Sequence, residues 1–162
     1  MSPFHTKQLE WVAVELDRRS YPVWHRLVPD VRFECPCCGY PMLEERGAFE
    51  ICGLCGWEDD GQDEGDADIV HGGPNSDLSL VAARENFAQY LLTDPPGSKP
   101  FRMPTEREIL AKHQIIAAFD SLRRDAGDRV KLWQQVLAAE QVLDEELRKR
   151  VRAIETSSRN TD

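Results

Sequence analysis

Apolar and polar positions follow several rhythms along this chain, and each change of rhythm marks a change of element. From Ser2 the stretch "SPFHTKQLEWVAVELDRRS" places Leu9, Val12, Ala13 and Leu16 on one face at helical spacing. Ser2 suits the N-cap, Pro3 suits the first helical position, and Pro22 ends the helix. "YPVWHRLVPD" has two prolines and reads as an extended linker anchored by Trp24. Near Arg32 the helical period is lost. "YPML" and "AFEIC" are short strand candidates, with "EERG" as the turn between them. "EDDGQDEGDADIVHGGPNSD" carries no periodicity and reads as a loop. The helical period returns in "SLVAARENFAQYLL", capped by Ser79 or Asp77, with Leu80, Ala83, Phe87 and Tyr90 or Leu91 as its buried stripe.

"TDPPGSKPFRMP" holds four prolines and a glycine and is the clearest boundary. Beyond it, Thr105 and Glu108 have the spacing of a capping box, and Gly127 suits the stop of that helix. Asp128 opens a last helix of about seven turns. Its stripe is Leu132, Val136, Ala139, Leu143, Leu147 and Val151 or Ile154, and its end, "RKRVR", is basic. A short turn predicts an antiparallel pairing of the two. The expected organisation is an N-terminal helix and linker over 1–30, a cysteine-rich ribbon-like domain over 31–95 and a helical hairpin over 103–158. The expected fold class is α+β: a small β-hairpin module packed with an N-terminal helix, a central helix and a C-terminal helical hairpin.

Composition adds a class and a place. Hydrophobic content of 41 % supplies a core, and no apolar run is long enough to span a bilayer. "MSPFHTKQLEW" lacks the basic and apolar regions of a secretory signal, so the expected location is the cytoplasm. Charge changes the picture more. The net charge is −9, and the segment Glu44 to Asp68 alone holds ten acids against one arginine. Such a chain is a poor nonspecific binder of nucleic acid and a good candidate for a basic protein partner.

All five cysteines fall in "FECPCCGYPMLEERGAFEICGLCGW". Cys35/Cys38 and Cys52/Cys55 form two C-x-x-C pairs, each followed by a glycine that permits the left-handed turn of a metal knuckle. Two such pairs separated by 13 residues suit one tetrahedral Zn²⁺. Four protein ligands leave no open position, so the site is expected to be structural. A thioredoxin-like redox motif competes less well, because neither pair opens a helix, and disulfides suit a reducing compartment poorly. Cys37 is the spare, read as a small packed side chain, with an alternative ligand or a reactive thiol as the sharper option. His71 is read as packed or solvated.

The acidic run does not fit the register of a calcium-binding EF-hand loop, and no paired carboxylates, nucleophile elbow or phosphate loop points to catalysis. No enzymatic activity is expected. The motifs "CPCCGY", "L-E-x-R-G-x-F-E-I-C", "C-x-W-E-D-D-G-Q-D", "D-A-D", "GGPN" and "LSL-x-x-A-R-x-N-F" together resemble the cysteine-rich CPCC domain family of bacteria over Phe33 to about Tyr90. Gly56 departs from the hydrophobic or aromatic residue usual there. The resemblance implies a zinc-ribbon-like module without an activity to carry over, and some members of the family look like immunity proteins, which neutralise a toxin encoded nearby. The expected function is therefore a zinc-stabilised interaction module of the immunity or antitoxin type. Its expected partner surface is Trp57, Glu58, Asp59, Asp60, Asp63, Glu64, Asp66 and Asp68, facing a basic toxin domain. A nucleic-acid-associated ribbon is the alternative, and an enzyme using the acidic loop is a weaker one.

Overall fold

The structure is a computed structural model that describes residues 32–98 and 103–159. The helix and linker expected over 1–30 lie outside the described residues. The chain divides into two compact units, with the boundary between Arg102 and Met103. Among the described residues the architecture is α+β: a two-stranded antiparallel sheet and three helices. No helix among them is long and apolar enough to cross a membrane.

In the first unit, β1 (Phe33–Glu34) pairs with β2 (Pro41–Leu43), Phe33 opposite Leu43 and Glu34 opposite Pro41, with a bulge between. This corrects the expected hairpin. "YPML" pairs backwards across the first cysteine knuckle, not forwards across "EERG". A knuckle closes over few residues, so strands on its two sides meet at small entropic cost. "AFEIC" is not a strand of that sheet. It contributes one isolated bridge, Ile51 to Glu58, across the second knuckle. The segment around "EERG" wraps the Asp59 carboxylate instead: Arg46 Nε and the Gly47 N–H each donate to Asp59 Oδ2 at 2.8 Å.

Helix α1 (Leu80–Tyr90) starts at Ser79, whose hydroxyl accepts from the Ala82 N–H, and stops at Leu91 in the left-handed conformation. Leu80, Ala83 and Phe87 are buried as the period predicts, while Tyr90 is exposed. Two contacts tie this helix and its exit to the knuckles. Arg84 Nε donates to the Pro36 carbonyl at 2.9 Å, and the Thr93 N–H donates to the Cys55 carbonyl at 3.1 Å.

In the second unit, α2 (Glu106–Arg123) carries the expected capping box. Thr105 Oγ1 accepts from the Glu108 N–H, and Glu108 Oε2 accepts from the Thr105 N–H at 2.7 Å. The helix ends earlier than Gly127: Arg124 is the cap, and Asp125 takes the positive φ of 52°. Aspartate tolerates that region better than most residues. Helix α3 (Arg129–Arg159) begins where Asp128 Oδ1 accepts from the Val130 and Lys131 N–H groups. The pair is antiparallel. Phe119 meets Trp133 edge to face at 5.7 Å at one end, and Arg107 meets Glu146 at 2.9 Å at the other.

The stripe on α3 is shorter than its period suggests. Trp133, Val136, Ala139 and Leu143 are buried, Leu132 is half-buried, and Leu147, Val151 and Ile154 are exposed. At about 1.5 Å per residue, the 31-residue α3 outruns the 18-residue α2. Glu146, not Leu147, faces inward at the last turn they share.

Candidate metal centre

The two knuckles are the same device built twice. In the first, the Gly39 N–H donates to the Cys35 carbonyl and the Cys35 N–H donates to the Tyr40 carbonyl, at 2.8 and 2.9 Å. In the second, the Gly56 N–H donates to the Cys52 carbonyl and the Cys52 N–H donates to the Trp57 carbonyl, both at 2.8 Å. Gly39 has φ 72° and Gly56 has φ 91°. A side chain at either position would be strained. The demand for a positive φ accounts for Gly56 at its position.

The turns aim four sulfurs at one point. The Sγ atoms of Cys35, Cys38, Cys52 and Cys55 all lie within 4.8 Å of one another. Cys35 and Cys55 are 3.6 Å apart, and Cys38 and Cys52 are 3.7 Å apart. A tetrahedron with metal–sulfur bonds of about 2.3 Å has sulfur edges of about 3.8 Å. The four residues fit one metal ion, two from each knuckle. The Trp57 N–H points at Cys55 Sγ, 3.4 Å away, as a donor to a ligating sulfur should.

Electrostatics also favour a cation here. Burial, followed by hydrogen bonds to Cys35, Cys52 and Cys55, pushes the Cys38 thiol well up. A hydrogen bond to Cys55, followed by burial, pushes the Cys37 thiol far up. Burial also acts to raise Cys55, but hydrogen bonds from Cys37, Cys38 and Cys52 outweigh it and bring that thiol down to about 6. One thiolate is tolerated at Cys55, and Cys37 and Cys38 beside it resist ionising. Four thiolates coexist only around a positive ion. Cys37 is buried in the turn beside this cluster and is not one of the four converging sulfurs.

Residues 33–108 match the family model described as "Cysteine-rich CPCC". This stretch is a cysteine-rich CPCC domain. The match runs past Tyr90, through the proline-rich segment, and ends in the first turn of α2. No curated protein and no solved structure matches the chain.

The CPCC domain places the acidic residues in three groups, interior, half-buried and exposed, and this corrects the expected partner surface. Trp57 and Asp59 are 0 % exposed and belong to the interior. Among the described residues Trp57 is the largest fully buried side chain, and Asp59 is the hub that gathers Arg46 and the Gly47 N–H, with the Gly61 N–H at 3.4 Å. Asp60 and Asp66 are half-buried loop builders. Asp60 accepts from the Gln62 N–H and from Asn75, and Asp66 accepts from the Asp63 N–H and faces His71 at 3.0 Å. Glu58 is half-buried, with its backbone engaged by Asn75. Asp63, Glu64 and Asp68 are exposed, and Glu64 pairs with Arg84 at 2.7 Å. His71 pairs with Asp66 and is outside the sulfur cluster.

Gln62 and Asn75 hold the loop together and were not singled out by the sequence reading. Gln62 is fully buried and donates from Nε2 to the Asp66 and Ile69 carbonyls. Asn75 sits in the 3₁₀ turn Gly73–Asn75 and reaches back to Glu58. The available signal was two neutral amides in a run of acids and glycines.

Proposed function

We propose that this protein is a non-enzymatic interaction module of the immunity or antitoxin type, stabilised by one structural Zn²⁺ and directed at a basic toxin domain. Zinc is the ion that four cysteines in tetrahedral array favour, and a closed four-sulfur set supplies folding energy and no open position for chemistry. Charge carries the reading. Residues 32–98 hold fourteen acids and three arginines, a balance of −11. With Trp57 and Asp59 inside, the acids exposed to a partner among residues 32–98 are Glu44, Glu45, Asp63, Glu64, Asp68, Asp77 and Glu85. Fixed acids on a metal-pinned scaffold speed encounter with a basic protein. The basic end of α3 supports nucleic-acid binding less than its sequence suggests: Arg148, Lys149 and Arg150 are paired with Asp144, Glu146 and Glu108.

The test is binding to the protein encoded beside this one, together with relief of that protein's toxicity. Asp63→Lys with Asp68→Lys should slow association about tenfold at low salt, with the fold unchanged. If the neighbouring product neither binds nor is neutralised, the proposal fails.

A further inference from the structure

The segment Phe49–Ile51 forms one side of the narrow hairpin that carries the second knuckle. The Phe49 N–H donates to the Asp59 carbonyl, and the Asp59 N–H donates to the Glu50 carbonyl, both at 2.9 Å. Phe49 and Glu50 together face the single residue Asp59, which makes a β-bulge. Its first position takes the left-handed backbone, with φ 60° at Phe49. Glycine is the usual occupant there, and a bulky residue is strained. The ring recovers little by packing, because Phe49 is 60 % exposed. Strain held without a packing return points to a contact made outside the chain.

The two edges of this hairpin are treated differently. On the Glu58 side, the Asn75 side chain accepts from the Glu58 N–H at 3.1 Å and donates to the Glu58 carbonyl at 2.9 Å. That amide takes the place of a neighbouring strand. On the other side, the ladder uses the Glu50 carbonyl and the Cys52 N–H. The N–H and carbonyl of Ile51 point away from it and meet no partner among the described residues. Ile51 is 63 % exposed.

We propose that this open edge, with Phe49 and Ile51 as apolar anchors, receives an extended segment of a basic partner protein, which adds a strand to the hairpin. The inference rests on the reading of a basic partner and names where that partner docks. Charge selects the occupant. Glu58 stands across from Ile51, and Glu44 and Glu45 are gathered at the Glu50 carboxylate, which accepts from their N–H groups at 2.7 and 3.4 Å. A second copy of the chain would bring the same acids against each other, and like charges across a strand pair are unfavourable.

The probe is a capped peptide of alternating lysine and valine, titrated into the full-length, metal-loaded protein at low salt. Two controls are a peptide N-methylated at its central valine and one with glutamate for lysine. The lysine peptide should slow exchange of the Ile51 amide by about tenfold at saturation, and both controls should bind at least about tenfold more weakly. Ile51→Pro removes the free N–H, keeps the ladder bonds and should lose binding. Phe49→Asn suits the left-handed backbone, so its melting temperature should hold or rise while its affinity falls. Unchanged Ile51 exchange, equal binding by the methylated peptide, or a lower melting temperature for Phe49→Asn overturns the proposal. So does an Ile51 amide already protected in the free protein, since its own chain or a second copy would then cover the edge. The acidic-surface reading fails separately. Toxin-domain binding that responds to Asp63→Lys and Asp68→Lys but not to Ile51→Pro removes the edge alone. Protection of Ile51 by the lysine peptide with no toxin domain bound removes the toxin reading alone.

Discussion

At the scale of single residues, Asp59 and Cys37 show how position overrides type. Asp59 lies in a run of acids and is the one turned fully inward, where Arg46 and the Gly47 N–H share its Oδ2. Asp59→Ala leaves those donors unpaired and should cost about 1.5–3 kcal/mol in urea unfolding. Asp63→Lys at the exposed neighbour should stay within about 0.5 kcal/mol of the parent. Equal effects at the two sites would remove the distinction drawn between hub and surface. Among the cysteines, Cys37→Ser should retain one metal ion per chain by elemental analysis. Cys35→Ser, Cys38→Ser, Cys52→Ser and Cys55→Ser should each lose most of it.

At the scale of elements, the last turn shared by α2 and α3 is held by charge where apolar packing has run out. Glu146 is nearly buried, and Arg107, Lys149 and Thr105 surround it. The Lys149 hydrogen bond in particular holds its carboxyl below the ordinary value of 4.5. The folded state therefore binds that proton less readily than the unfolded chain. The resulting stability is present above the ordinary value and is lost as pH falls through the depressed folded pKa. Acid titration of hairpin helicity should show this loss in the parent and a flatter profile in Glu146→Gln. Identical profiles would assign the acid sensitivity to other groups. The knuckles are elements of the opposite kind. Each closes through its own backbone bonds and its own glycine, so each was legible from six residues.

At the scale of the molecule, two units with different sources of stability share one chain. The hairpin is an apolar seam between long helices. The CPCC domain has a two-stranded sheet too small to persist alone, a loop rich in acids, and four converging sulfurs. Removing the metal should therefore collapse the first unit and spare the second. Under a strong chelator, near-ultraviolet signals from Trp57 should fade while most of the far-ultraviolet helical signal remains. Loss of both together would show that the hairpin does not stand without the metal-bound domain.

What the sequence determined by itself was local. The paired cysteines with their glycines, the Thr105 and Glu108 box, the Ser79 cap and the period of three helices depend on residues a few positions apart. Backbone geometry expresses such signals wherever they occur. The tertiary structure decided what depends on distant partners. It chose the strand that pairs with β2, turned Trp57 and Asp59 inward, and set Asn75 as the seal on the Glu58 edge. It also left Leu147, Val151 and Ile154 uncovered, because α2 ends before α3 does. An acid's type and spacing are the same whether it caps a loop or faces solvent. Only the donors brought to it by the rest of the fold separate the two.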